Sequence, residues 1–138
     1  MYGSLDISTS GMIAQRTRLD VISANISNKS TLLDAQGNYS PYRRRIAYLA
    51  AGNPGAASPS GRALGVHVGA IGQDQSPFLL KYAPNSPYAD AGGYIREPNI
   101  DTTSERIDAL EALRAYEANV AAAETSKQMM ALGLRLIG

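Results

Sequence analysis

The sequence predicts an α+β chain: two long helices at its ends pair as a coiled-coil-like inner domain, with a small antiparallel β module between them. Three observations carry this. Residues 5–26 and 103–136 both have the apolar periodicity of amphipathic helices. The stretch between them is rich in Gly, Pro, Ser and Tyr and holds only short apolar runs. The last helix, at about 34 residues, would be roughly 50 Å long, whereas a compact chain of this size has a radius of gyration of about 14 Å. Such a helix has to find part of its cover on other molecules. The expected division is 1–30 and 101–138 as the two halves of the helical part, and 31–100 as loop and β domain.

In the first helix Leu5, Met12, Leu19 and Ile26 recur every seven residues. Ile22 takes the intervening core position, while the equivalent positions Ser8 and Gln15 are polar. Ile7, Ala14 and Val21 form a second line beside the first. The competing reading is an ordinary globular helix. Asn25, Ser27 and Asn28 end it, because their side chains compete for backbone hydrogen bonds. Asp34, Gly37 and Asn38 then supply turn chemistry.

Four short runs follow, at 42–49, 64–71, 78–82 and 94–96. Val66 and Val68 alternate with Gly65, His67 and Gly69, as in a half-buried strand. The segment 53–61, NPGAASPSG, reads as a mobile linker.

The last helix opens with Thr102 and Glu105 at capping-box spacing. Acidic residues crowd its start, and Lys127 and Arg135 lie near its end, as the helix dipole favours. Leu110, Leu113, Val120, Met130, Leu134 and Ile137 form an apolar stripe with Tyr116 beside it. Ala109, Ala112, Asn119, Ala122, Ser126 and Gly133 make a neighbouring face of small residues, which lets another backbone approach closely. Arg114 is spaced to pair with Glu111 and Glu117.

Composition narrows the function. Charged residues are 18% against 44% hydrophobic, fewer than the roughly 25% of ordinary soluble domains, so this surface is not built to face water alone. A net charge of +1 asks for neither nucleic acid nor a lipid surface. With no cysteine, thiolate metal sites and cysteine nucleophiles are excluded. The N-terminus lacks the basic and apolar regions of a cleaved signal peptide, and no apolar run reaches the ~20 residues of a membrane span. No GxxxxGK[ST], GxGxxG or GxSxG string occurs. His67, the single histidine, reads as a strand residue with its polar tip exposed rather than as a general base. No catalytic residue, cofactor, metal or small-molecule substrate is expected. Arg43, Arg44 and Arg45 lie among Tyr39, Tyr42 and Tyr48. A solvent-facing or subunit-facing strand is the plain reading, and contact with an acidic neighbour the specific one.

Two strings carry a resemblance. RLDVISANISNKSTLLDAQGNYSPYRRR, at 18–45, resembles the N-terminal signature of the bacterial flagellar rod and hook proteins, with Asn25, Ile26, Ser27 and Asn28 as the element that closes the first helix. RAYEANV, at 114–120, is similar to that family's C-terminal helix signature. The resemblance implies an axial subunit exported by the flagellar type III system without a cleaved signal. It implies a place in the periplasmic rod of the basal body, within a helical hetero-assembly of rod subunits adjoining the export gate and ring components. Its terminal helices would line an export channel. The subunit interface expected on this reading comprises Leu5, Met12, Leu19, Ile22, Asn25, Ile26, Asn28, Leu110, Leu113, Tyr116, Asn119, Val120, Ala122, Met130 and Leu134. The alternatives are a non-catalytic adaptor or needle-type subunit of a type III secretion apparatus and, more remotely, a small hydrolase.

Overall fold

A computed structural model describes residues 2–138. The order of elements is α1 (Tyr2–Ser27), β1 (Arg45–Ala51), α2 (Pro59–Leu64), β2 (Val66–Gln73), β3 (Leu79–Tyr82), β4 (Tyr94–Glu97) and α3 (Thr102–Ile137). β1 and β2 form one antiparallel two-stranded sheet, and β3 and β4 another. The fold is therefore α+β, with both sheets between the long helices in sequence.

The helices α1 and α3 pack together, and α1 also carries α2, β1 and β2. Three contacts fix an antiparallel register. Asn25 meets Glu105, Arg18 pairs with Glu111 at 3.5 Å, and Gly11 faces Asn119. On this register Tyr2 lies opposite about residue 128, so the last nine or so residues of α3, ~14 Å of helix, extend past the end of α1.

The seam is built from small and polar residues. On α1 the buried positions are Ser8, Ser10, Gly11, Ala14, Ile22 and Asn25. The seven-spaced line of Leu5, Met12, Leu19 and Ile26 is only half-buried and flanks the seam. The expected core line is thus displaced toward the supposedly weak one containing Ser8 and Gln15. The reason is distance: a Cβ on Gly11 would sit 2.7 Å from the Asn119 amide, so the helices come together where side chains are smallest. On α3 the buried residues are Glu105, Ala112 and Ala123. The small-residue face requires one correction, since Ala122 is exposed and Ala123 occupies the seam.

Three further expectations are corrected. The cap of α3 is Asp101, whose carboxylate accepts from the Thr103 N–H at 3.1 Å and from the Ser104 hydroxyl at 2.8 Å; Glu105 does not fold back as a capping-box residue. The segment 53–61 is not a free linker. Ser58 caps α2 with Pro59 in its first turn, and the Ser58 N–H donates to Asp6 of α1 at 3.0 Å. Glu111 pairs with Arg18 instead of Arg114.

Candidate assembly surface

The centre of the molecule is a buried polar network where the end of α1, the start of β1 and the first turn of α3 meet. Asn25 has 0% exposure. Its amide oxygen accepts from the Arg45 N–H at 2.9 Å and the Tyr42 hydroxyl at 3.1 Å. Its amide nitrogen donates to the Arg45 carbonyl at 2.9 Å and to Glu105 Oε2 at 3.1 Å. The side chain therefore pairs with both backbone groups of Arg45, as a neighbouring strand would. All four of its hydrogen-bonding sites are used, which is what burial of an amide demands.

Glu105 is 1% exposed. Its other oxygen accepts from Arg44 Nε. Arg44 also reaches Asp108 at 3.4 Å and Asp74 at 3.9 Å. Burial opposes the charge on Arg44, but these carboxylates outweigh it and hold its pKa above the ordinary arginine value. Burial in turn raises the Tyr42 phenol. The three arginines thus divide: Arg44 turns to the buried Glu105, a departure from the expected solvent- or subunit-facing run, Arg43 is half-buried against the Asp74 and Ser76 carbonyls, and Arg45 is exposed.

A second clamp of the same design holds the other sheet. The Tyr39 hydroxyl accepts from the Arg96 N–H at 2.8 Å and donates to the Arg96 carbonyl at 2.9 Å. The Tyr39 ring stacks on Tyr88, with centroids 5.0 Å apart.

The expected interface residues separate into three groups. Asn25 and Ile22 are covered within the chain. Leu5, Met12, Leu19, Ile26, Asn28, Tyr116, Asn119, Val120 and Met130 are half-buried along the helix pair or beside it. Leu110, Leu113, Ala122 and Leu134 are exposed. Leu19, Leu110 and Leu113 come together with Ala109 and Arg106 around a shallow apolar depression of about 390 Å³. Periodicity did not single out Ile107, Met129, Leu132 and Leu136, which extend the exposed apolar surface of α3; Leu136 is 88% exposed.

His67 departs from its expected exposure. It is half-buried, and Nδ1 lies 2.6 Å from the Gly52 carbonyl. A carbonyl only accepts, so Nδ1 carries the proton. Among the described residues no three His, Asp or Glu side chains group as a metal site, and no helix is long and apolar enough to cross a membrane.

Asp6, Asp74 and Asp101 share an electrostatic property. Each carboxyl is held below its ordinary value of 3.8, chiefly by a side-chain hydrogen bond from Ser58, Ser76 and Ser104 respectively. Depressed native values mean that their stabilisation is complete above pH 3.8 and is lost as pH falls through the lower native range. Thermal unfolding followed from pH 6 to pH 2 should therefore show a falling Tm below about pH 4. Asp101→Asn, which can still accept the Thr103 N–H, should flatten that slope; an unchanged slope would remove Asp101 from the account.

Known proteins show the same signatures. A family model described as flagella basal body rod protein matches residues 5–31. One described as flagellar basal body rod FlgEFG protein C-terminal matches residues 91–136. The chain is 38% identical to the flagellar basal-body rod protein FlgC of Bacillus subtilis, covering 98% of this chain and 97% of the relative. It is 37% identical to FlgC of Borreliella burgdorferi, covering 99% and 97%, and 35% identical to FlgC of Salmonella typhimurium, covering 95% and 93%. Identity at this level, sustained from end to end and across both helical signatures, leads to one conclusion: the chain belongs to the FlgC family of flagellar basal-body rod proteins.

Proposed function

We propose that this chain, a structural basal-body rod subunit, is an axial subunit of the proximal rod. It polymerises with other rod subunits into the periplasm-spanning drive shaft around the export channel and reaches that place through the flagellar type III system without a cleaved signal. On this reading 1–30 and 101–138 form the inner helical domain and 31–100 the outer one, with export-gate and ring components as further neighbours. The role is mechanical rather than catalytic.

The observation that carries the reading is the unpartnered surface of α3. Leu110, Leu132, Leu134 and Ile137 are 57–86% exposed on a helix that outruns its own partner. Leu110 and Leu113 form one exposed apolar patch partway along α3, and Leu132, Leu134 and Ile137 lie on the end that outruns α1. Exposed apolar surface of this kind on a monomer marks an interaction site. Subunits stacked along an axis would cover it, each with the helices of the next, and heterologous contacts of that kind propagate into helical assemblies.

Leu110→Glu combined with Leu113→Glu tests the reading. Both positions are exposed in the single chain, so its unfolding midpoint should move by less than the equivalent of about 0.5 kcal/mol per site. Incorporation into purified basal bodies should nevertheless be lost, because the carboxylates would be desolvated without partners. Normal incorporation, with export measured in parallel, would remove this face from the assembly.

A further inference from the structure

An open groove of about 740 Å³ lies between the end of α1, the 31–43 loop, the end of β2 and β4. Arg43, Arg45 and Arg96 line it with Tyr39, Tyr42 and Phe78. Among the described residues none of these arginines has a carboxylate within 4.0 Å, since Arg44 takes Glu105, Asp108 and Asp74. The one carboxylate in the lining, Asp34, is occupied by its own turn, accepting from the Gln36 and Asn38 N–H groups at 3.0 and 2.9 Å.

The arginines are presented by a rigid frame. Asn25 clamps the backbone of Arg45 and Tyr39 clamps that of Arg96. Arg43 donates to the Asp74 and Ser76 carbonyls and lies 4.3 Å over the Phe78 ring. Arg45 lies 5.6 Å over Tyr42. Cations fixed in this way bind an anion with little ordering cost.

The matching charge is on the same chain. Glu117 and Glu124 are exposed on α3, two helical turns apart, and neither forms an ion pair among the described residues. The net charge is +1, so the groove's cations are matched in number by carboxylates elsewhere on the chain, Glu117 and Glu124 among them, with Arg114 and Lys127 flanking that line on α3. We infer that the groove receives the Glu117 and Glu124 line of α3 from a second copy of the chain. The contact is head-to-tail, leaves each copy with one groove and one acidic line free for the next, and rests on the rod-subunit reading.

Charge exchange tests it. Arg45→Glu with Arg96→Glu, and separately Glu117→Arg with Glu124→Arg, should each lower incorporation into basal bodies at least about tenfold through like-charge juxtaposition. Combining all four should restore it to within about threefold of the unaltered chain, since attraction returns with its direction reversed. Cysteine cross-linking gives a reading that does not alter these charges, because the chain has no thiol of its own. Ala35→Cys, at the groove, combined with Ala121→Cys, beside the acidic line, should yield a ladder of species at twice the chain mass and higher multiples on oxidation of basal bodies; neither single variant should. Normal incorporation of both charge pairs, or loss without restoration and without the cross-link, would overturn the second copy as occupant. An unaltered chain absent from basal bodies would instead overturn the rod-subunit reading itself.

Discussion

Asn25→Ala should destabilise the isolated chain by about 3–5 kcal/mol, since three groups lose their hydrogen-bond partner together. The total stability of a domain is about 5–15 kcal/mol, so a loss of this size takes a large share of it. Truncation removes four hydrogen bonds at once. It leaves the Arg45 N–H and carbonyl without their partner, and it leaves one oxygen of the buried Glu105 carboxylate unsatisfied. Each orphaned buried group costs about 1–3 kcal/mol, and the smaller side chain adds a cavity. Urea unfolding gives the number. Asn25→Asp separates the amide from its shape: it keeps the acceptor for Arg45 and Tyr42 but faces Glu105 with a second negative charge, so it should be at least as damaging. A loss below about 1 kcal/mol for both variants would mean that water replaces the network readily.

The network also shows which features a sequence can announce. Both long helices were legible because their apolar spacing runs for many turns, and the four strand runs because short β-branched and aromatic stretches lie between turn residues. The seam between the helices was not. A heptad rule ranks Leu5, Met12 and Leu19 above Ser8, Gly11 and Asn25 as packing residues, yet the latter group is the more buried. Polar residues become good core residues only when distant partners satisfy them, and the partners of Asn25 lie 17, 20 and 80 positions away. Glu105 misled for a related reason. Its position three residues after Thr102 fits a local cap, but its carboxylate gains more from Arg44 and Asn25 than from a backbone N–H already near water. The helix α2 was missed although its signal was present: Ser58 followed by Pro59 is a helix start. In a stretch with this much Gly and Pro, the composition suggested a linker.

The exposed surface of α3 was legible as a stripe but not in its assignment. Leu110 and Leu113 follow the periodicity and face outward, whereas the positions facing α1 are Ala112, Asn119 and Ala123; Leu134 shares their side but lies past the end of α1. A large residue cannot enter a seam set by Gly11, so the helix turns its small side inward and leaves its leucines uncovered. The same physics that pairs the two helices of one chain therefore creates the surface that needs another molecule.

Adjacent alanines on α3 turn this argument into a measurement with a large expected difference. Ala123 is 9% exposed in the seam, while Ala122 faces outward. Ala123→Glu places a longer side chain where the helices are in close contact, an overpacking that costs about 1–3 kcal/mol. It also buries a carboxylate with no partner, for a further several kcal/mol unless the side chain escapes. The expected result is a chain whose α1–α3 pair opens, seen as loss of amide protection along both helices while the β1–β2 sheet keeps its own. Ala122→Glu adds the same atoms one position earlier in the helical turn, into solvent, and should cost only a few tenths of a kcal/mol through helix propensity. The isolated Ala122→Glu chain should therefore unfold at nearly the unaltered midpoint. Its effect, if the outward surface of α3 is covered in the rod, should appear only on incorporation into basal bodies. Equal stability of the two variants would place the seam elsewhere on α3, and with it the account of why the leucines face outward.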